Sequence, residues 1–308
     1  MKKPLLLIFS LFVIINCFSQ RISKADEKIL IKKEDSLKIL CAKVLFDTIP
    51  QKRFTADSMF TKTFVRALKI NGSFYYPFDS LQTISKLYAP DSSFRIFTWQ
   101  MVINNNIIRQ HGAIQMRTYD GSLKLYPLID KSDVTINKED TVGNNKGWIG
   151  AVYYKILQKR SSNQNYYTLL GYDEHNVKSS KKLIEVLSFT NDEPVFGGRF
   201  FSFEEDTVFK SSKSRFILEF KKDVGARLNY DEELDLIMVD HLISETNEPN
   251  KKETYIPDGD YEGFKWKNGK WVHIEKVFNL KTPEGEEPVP QGIRDPGGKV
   301  DEKLLKEY

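Results

Sequence analysis

Cysteine is scarce in this chain. Of 308 residues only Cys17 and Cys41 carry a thiol. Cys17 falls inside an N-terminal leader, so Cys41 is left alone, no internal disulfide is available, and the fold must be held by its core. Cys41 sits on the apolar face of a helical pattern, where a lone thiol reads as buried and inert. Long apolar runs are also missing. The longest, residues 5–15, is too short to span a bilayer. There is no excess of charge of one sign: 46 basic residues less Lys2 and Lys3 leaves 44 after the leader, against 42 acidic ones. That balance excludes a surface built to grip nucleic acid or acidic lipid. HExxH, GxSxG, CxxC, phosphate-loop and GxGxxG patterns are all absent. Nothing in the motifs names a reaction or a cofactor, and none is expected.

What is present begins with a targeting signal. Lys2 and Lys3 precede the apolar run, and Cys17-Phe18-Ser19 ends it in a small residue. This predicts a signal peptide over residues 1–19, with Gln20 first in the mature chain. The rival is a lipid on Cys17, against which Asn16 is bulkier and more polar than the residue usually found there. Either route places the protein outside the cytoplasm, as a periplasmic, outer-membrane-associated or secreted component.

Aromatic residues make up 13% of the chain, above what a disordered chain carries, so a sizeable core is expected. Apolar residues recur near helical spacing over residues 21–46 (Ile22, Ile29, Leu30, Leu37, Leu40, Cys41, Val44) and over 55–70 (Phe60, Phe64, Ala67, Leu68), with Pro50 ending the first region. A third short helix is expected from Asp79 through Leu87. The period then becomes two. Residues 94–103, 107–119 and 123–129 read as a three-strand antiparallel meander, with Asp120-Gly121 as a tight turn. Residues 131–147 form a polar loop. Residues 148–158 are apolar on both faces, as a central strand would be. Residues 166–172 and 183–189 follow as strands, although residues 179–184 fit a short helix as well. Residues 215–221, 226–230 and 234–242 read as a second meander. Asn268-Gly269, flanked by alternating residues, predicts a hairpin with Trp266 opposite Trp271 and Phe264 opposite His273. From Thr282 onward proline and glycine dominate. The expected organisation is therefore a leader (1–19), a helical N-terminal region (20–90), an antiparallel β domain (91–280) and a disordered tail (281–308). The fold class is α+β, about three helices followed by a mostly antiparallel sheet system, closed as a barrel-like or sandwich form.

Candidate chemistry is thin. His111, His175, His241 and His273 occupy four different elements, and only the fold can bring them together. Asp173-Glu174-His175 is a polar trio after a strand, where acid–base groups are found but solvated turns are commoner. Ser179 to Lys182 match a bare Ser-x-x-Lys without its companion motifs and read as chance. Asp258, Asp260 and Glu262 alternate as in a calcium loop, but the closing acid of an EF-hand would fall on Gly269, which excludes that loop and leaves only a looser metal site. Phe264, Trp266, Trp271 and His273 form an aromatic face with recognition character. Large aromatics are more often core, and that reading is preferred for this face.

Residues 167–173, 181–189 and 194–197, with the later runs 215–220 and 230–242, resemble a set of uncharacterised secreted and envelope proteins of Bacteroidota-type bacteria. The resemblance covers most of residues 148–278. It implies an envelope or secreted location in a Gram-negative cell and brings no activity with it. The expected function is a non-catalytic extracytoplasmic binding or envelope-assembly protein, with an envelope component or glycan as partner, no nucleic acid and no transmembrane span. The alternative is a hydrolase using carboxylates and histidines at strand ends. A cleft holding His175 or His241 beside a carboxylate favours the hydrolase, and a shallow aromatic surface favours binding.

Overall fold

A computed structural model describes residues 22–104, 106–208 and 210–278. The expected leader and tail both lie outside the described residues. Helix α1 spans Lys24–Phe46 and α2 spans Pro50–Leu68. Ser23 caps α1, its hydroxyl accepting the Asp26 N–H at 3.1 Å. Asp26 and Glu27 in the first turn and Lys43 in the last complement the helix dipole. α1 ends before Pro50, as expected, but Pro50 itself opens α2, which was expected only from Thr55, because the first turn needs no N–H from it. No helix among the described residues is long and apolar enough to cross a membrane.

Among the described residues two α-helices are found, where three were expected. The expected third helix ends in strand β1 (Ser85–Tyr88), which pairs with β2 (Phe94–Asn104) from Ser85↔Thr98 to Tyr88↔Arg95. Tertiary pairing there overrides a weak local helix pattern. β3 (Ile107–Met116) and β4 (Lys124–Ile129) complete a first sheet of order β1-β2-β3-β4. The expected tight turn at Asp120-Gly121 is instead part of a longer connection over residues 117–123, with Gly121 at φ 74°.

The central sheet takes β5 (Gly143–Asn144), β6 (Val152–Ser161), β7 (Gln164–Asp173), β8 (Ser179–Thr190) and β9 (Glu193–Phe196) in the order β5-β9-β8-β7-β6. The region left open between helix and strand at Ser179 is strand. β10 (Phe201–Ser202) follows, then β11 (Arg215–Lys221), β12 (Leu228–Asp231), β13 (Leu236–Ser244), β14 (Tyr255–Lys267) and β15 (Lys270–Ile274). These make a third sheet, β10-β15-β14-β13-β12, with one exception. β11 leaves the expected second meander and pairs with the first half of β8, from Arg215↔Glu185 to Lys221↔Ser179, while β9 pairs with the second half.

The sheets are antiparallel-dominated and open, so the barrel alternative is not what forms. Four layers stack. Leu30, Leu37, Phe60 and Phe64 of the helices pack on Phe97 and Trp99 of β2. Phe94, Ile96 and Ile114, on the other side of the first sheet, pack on Leu169 and Leu183 of the central sheet. Leu170, Ile184 and Val186, on its far side, pack on Ile237, Val239, Phe264 and Trp271 of the third. The period of two explains this division: successive residues of a strand face opposite layers. β6, read as a central strand, is an edge strand of its sheet. Its two-sided apolar character comes from abutting the first sheet, where the Tyr153 N–H donates to Thr98 Oγ1 at 3.0 Å.

One buried ion pair fixes β11 in place. Arg215 Nε and Nη2 lie 2.9 and 2.8 Å from Glu185 Oε2, with both side chains inaccessible to solvent. Tyr153 donates its hydroxyl to the same carboxylate, and Trp148 Nε1 donates to Tyr153 at 2.7 Å. The remaining Arg215 nitrogen, Nη1, holds the carbonyls of Lys138 and Thr141. A cation from the strand thereby anchors the loop that runs beside it.

Candidate functional site

The hairpin forms in the register expected, with Asn268 and Gly269 at φ 50° and 82°. It does not present its aromatic face to solvent. Phe264 and Trp271 are 0% exposed and His273 is 2% exposed, because this face closes the core between the central and third sheets. Trp271 Nε1 donates to the buried Thr168 hydroxyl at 2.8 Å. Only Trp266 is partly exposed. Buried rings cannot stack on a ligand, so the recognition reading of Phe264, Trp271 and His273 gives way to a core reading.

The calcium-like acids lie along β14 rather than in a loop. Asp258 pairs with His241 Nδ1 at 2.7 Å, Asp260 with Lys276 at 3.0 Å, and Glu262 with His273 Nε2 at 2.8 Å. Each carboxylate has a lysine or histidine partner. Among the described residues no group of three or more His, Cys, Asp and Glu side chains could hold a metal ion.

The four histidines do not meet at one point. His111 stacks on Trp99 at 5.5 Å with Asp57 beside it, on the helix side of the first sheet. His273 lies between Asp206 Oδ1, 2.7 Å from its Nδ1, and Glu262. His241 approaches the other oxygen of Glu262 at 3.8 Å, so these two histidines share one carboxylate. A bulge between Asp240 and Leu242 opposite β14 brings His241 to Asp258. His175 stands apart, in a left-handed backbone conformation at φ 60° just after β7.

His175 belongs to a cluster that sequence reasoning assembled only in part. Its Nδ1 is 3.9 Å from Asp173 Oδ2 and 3.4 Å from Lys181 Nζ, and its Nε2 is 3.7 Å from Glu219 Oε1. Asp173 Oδ1 accepts from Gln110 Nε2 and from the His175 N–H, both at 3.0 Å. Burial pushes the Asp173 carboxyl up. Burial and the neighbouring Lys181 ammonium push His175 down, and burial pushes Lys181 itself down. Three neighbouring groups whose pKa values are shifted by burial mark a candidate site. A hydroxyl nucleophile is not part of it: Ser179 is buried and donates to Glu219 at 2.6 Å.

Beside this cluster runs a groove of about 490 Å³. Residues 216–219 of β11 form its floor, and residues 136–139 form one wall. Leu242, Lys252, Tyr255 and Glu262 form the other wall, with Lys181 at the cluster end. The groove lies between the flanking layers because β11 ends the central sheet there. Its charges are unequal in one respect. Glu139 is paired with Lys213 at 2.9 Å, Glu219 with Ser179 and Lys181, and Glu262 with His273. Lys138 and Lys252 have no ion-pair partner among the described residues. Lys252 rests over the Tyr255 ring at 4.1 Å.

Sequence reasoning covered Glu219 only as part of the strand expected over residues 215–221, and Lys181 only within a chance motif and the run 181–189. The signal available was the polar side of residues 215–221, but its partner strand could not be read from the spacing. No family model, no curated protein and no solved structure matches the chain.

Proposed function

We propose that the chain is a non-catalytic binding protein of the bacterial envelope, working outside the cytoplasm, whose site is the groove along β11. Its ligand is an anionic envelope component. The observation that carries this is the pair of lysines, Lys138 and Lys252, which have no ion-pair partner among the described residues and line a groove whose three carboxylates are all matched. Bringing an anion to two such ammonium groups gains attraction and breaks no existing pair. The basic and apolar leader supports the location, and so does the resemblance to secreted proteins of Bacteroidota-type bacteria. Titration with acidic oligosaccharides and acidic peptides, against neutral counterparts, tests the reading. Acidic probes bind, added salt weakens them, and the Lys138→Ala/Lys252→Ala variant loses about tenfold or more. Equal binding of neutral probes, or an indifferent variant, overturns it.

A hydrolase is the second reading, favoured by one observation: the raised Asp173 carboxyl and lowered His175 imidazole lie side by side at the groove's end. This is the arrangement that separates an acid from a base. The enclosed Ser179 speaks against a serine nucleophile. Turnover of an acidic oligosaccharide or peptide that is abolished by Asp173→Asn would establish this reading over the first.

A further inference from the structure

We infer that the groove takes an extended acidic peptide, which adds as a further strand to the outer edge of β11. This rests on the reading of the groove as a binding site and names the occupant. The argument begins with the backbone. β8 is paired on one side by β7, from Lys181 to Leu187, and on the other by β11 and β9 in succession. Beyond β9 lies β5. Beyond β11 no strand of the described residues lies, and the corresponding place is the groove.

The direction of the free backbone groups follows from two hydrogen bonds. The Arg215 N–H points away from β8 and donates to the Glu139 carbonyl at 3.0 Å. The Lys222 N–H points toward β8 and donates to the Lys178 carbonyl at 3.0 Å. Backbone direction alternates along a strand, so Ile217 and Glu219 turn both their N–H and C=O groups outward into the groove. Neither has a backbone partner there among the described residues. Glu139 closes one end of this edge by accepting from both Ser214 and Arg215, and the turn in which Val224 donates to Lys221 closes the other.

Each of these features calls for a polypeptide rather than another anion. Alternating donors and acceptors at strand spacing match a peptide backbone, which supplies the complementary row. The slot lies between two layers, so side chains of an added strand would point alternately toward residues 136–139 and toward Leu242 and Tyr255. Lys138 and Lys252, one on each wall and without an ion-pair partner among the described residues, select carboxylate side chains. Four residues of β11 face the groove, about 13 Å of strand, which sets the length recognised at four residues or slightly more.

The test uses the full chain and a blocked hexapeptide of alternating glutamate and valine, followed by calorimetry. Its partners are the same peptide N-methylated at alternate amides, a lysine-for-glutamate analogue, and an acidic oligosaccharide. On the protein side, Ile217→Pro removes an outward N–H without removing a bond to β8, which is where an edge strand tolerates proline. The expected result is binding of the acidic peptide, with N-methylation in one of the two alternating registers and Ile217→Pro each weakening it about tenfold. If Ile217→Pro fails to fold, as judged by circular dichroism, the N-methylated peptides decide alone. Equal binding of methylated and unmethylated peptides in both registers, or binding of the oligosaccharide alone, overturns strand addition while leaving the anion-binding groove standing. Failure of every acidic probe overturns the groove itself. A dimer of the full chain in light scattering, lost in Ile217→Pro, overturns the choice of occupant in favour of a second copy.

Discussion

Truncating Trp271 to alanine removes the largest side chain between the central and third sheets. The ring is 0% exposed, lies 5.3 Å from Trp266, and donates to Thr168, itself 0% exposed. Deleting a fully enclosed large aromatic costs about 3–5 kcal/mol, from lost transfer energy and the cavity left behind. Trp271→Phe separates the contributions. It keeps most of the ring but takes the indole donor from Thr168, which costs about 1–3 kcal/mol when the group left behind is buried. Trp266→Ala, at the partly exposed partner, should cost about 1–2 kcal/mol, because only the covered part of its ring is lost. Urea unfolding followed by circular dichroism measures all three, read as midpoint shifts at constant slope. The order expected is Trp271→Ala, then the two milder variants. A Trp271→Ala protein within about 1 kcal/mol of wild type, or less destabilised than Trp266→Ala, would refute the placement of this face in the core.

Removing one partner of the buried pair, as in Glu185→Ala, should destabilise by about 3–5 kcal/mol in urea unfolding, whereas Glu185→Leu/Arg215→Met should recover part of the loss by removing both charges together. Burial alone would lower the His273 pKa, but Glu262 and Asp206 on its two nitrogens outweigh burial and raise it. A raised folded-state value means stability that is fully present below the unfolded value of about 6.5 and lost as pH rises through the folded one. The His273 contribution should therefore fall as pH rises above about 6.5, read as a shrinking difference in unfolding free energy between wild type and His273→Gln toward pH 9. Intact-mass measurement of the protein recovered from the envelope should show a chain beginning at Gln20; retention of Met1 or a lipid on Cys17 would contradict the reading of the leader.

Local features were legible in the sequence and distant ones were not. The Asn268-Gly269 turn fixes its own hairpin within ten residues, so Trp266↔Trp271 could be read directly. α1 and α2 were legible because their apolar faces repeat within one element. β11 alternates as clearly as any strand, yet its partner β8 lies about thirty residues back, and alternation says nothing about which edge a strand joins. β1 looked helical because its four residues are decided by β2 rather than by their own propensity. The site suffered most. Asp173 and His175 are neighbours in sequence and were singled out together, but Lys138, Glu219 and Lys252, which complete the groove, come from three separated loops and strands. For the aromatic face the residues were correct and the side of the sheet they would meet was undetermined, since a second layer of sheet covers it.

The stacking order of the layers has a consequence for how the chain can be made. The helices and the first sheet come from one continuous stretch, residues 24–129, and can pair as they emerge. Their inner face, with Phe94, Ile96, Ile114 and Leu128, packs against side chains that arrive only with residues 148–196. A chain delivered from its N-terminus therefore passes through a stage in which a half-built molecule displays an apolar sheet face, the kind of surface that sticks to other chains. Holding chaperones would act in that window, and it closes only when the middle of the sequence has been delivered.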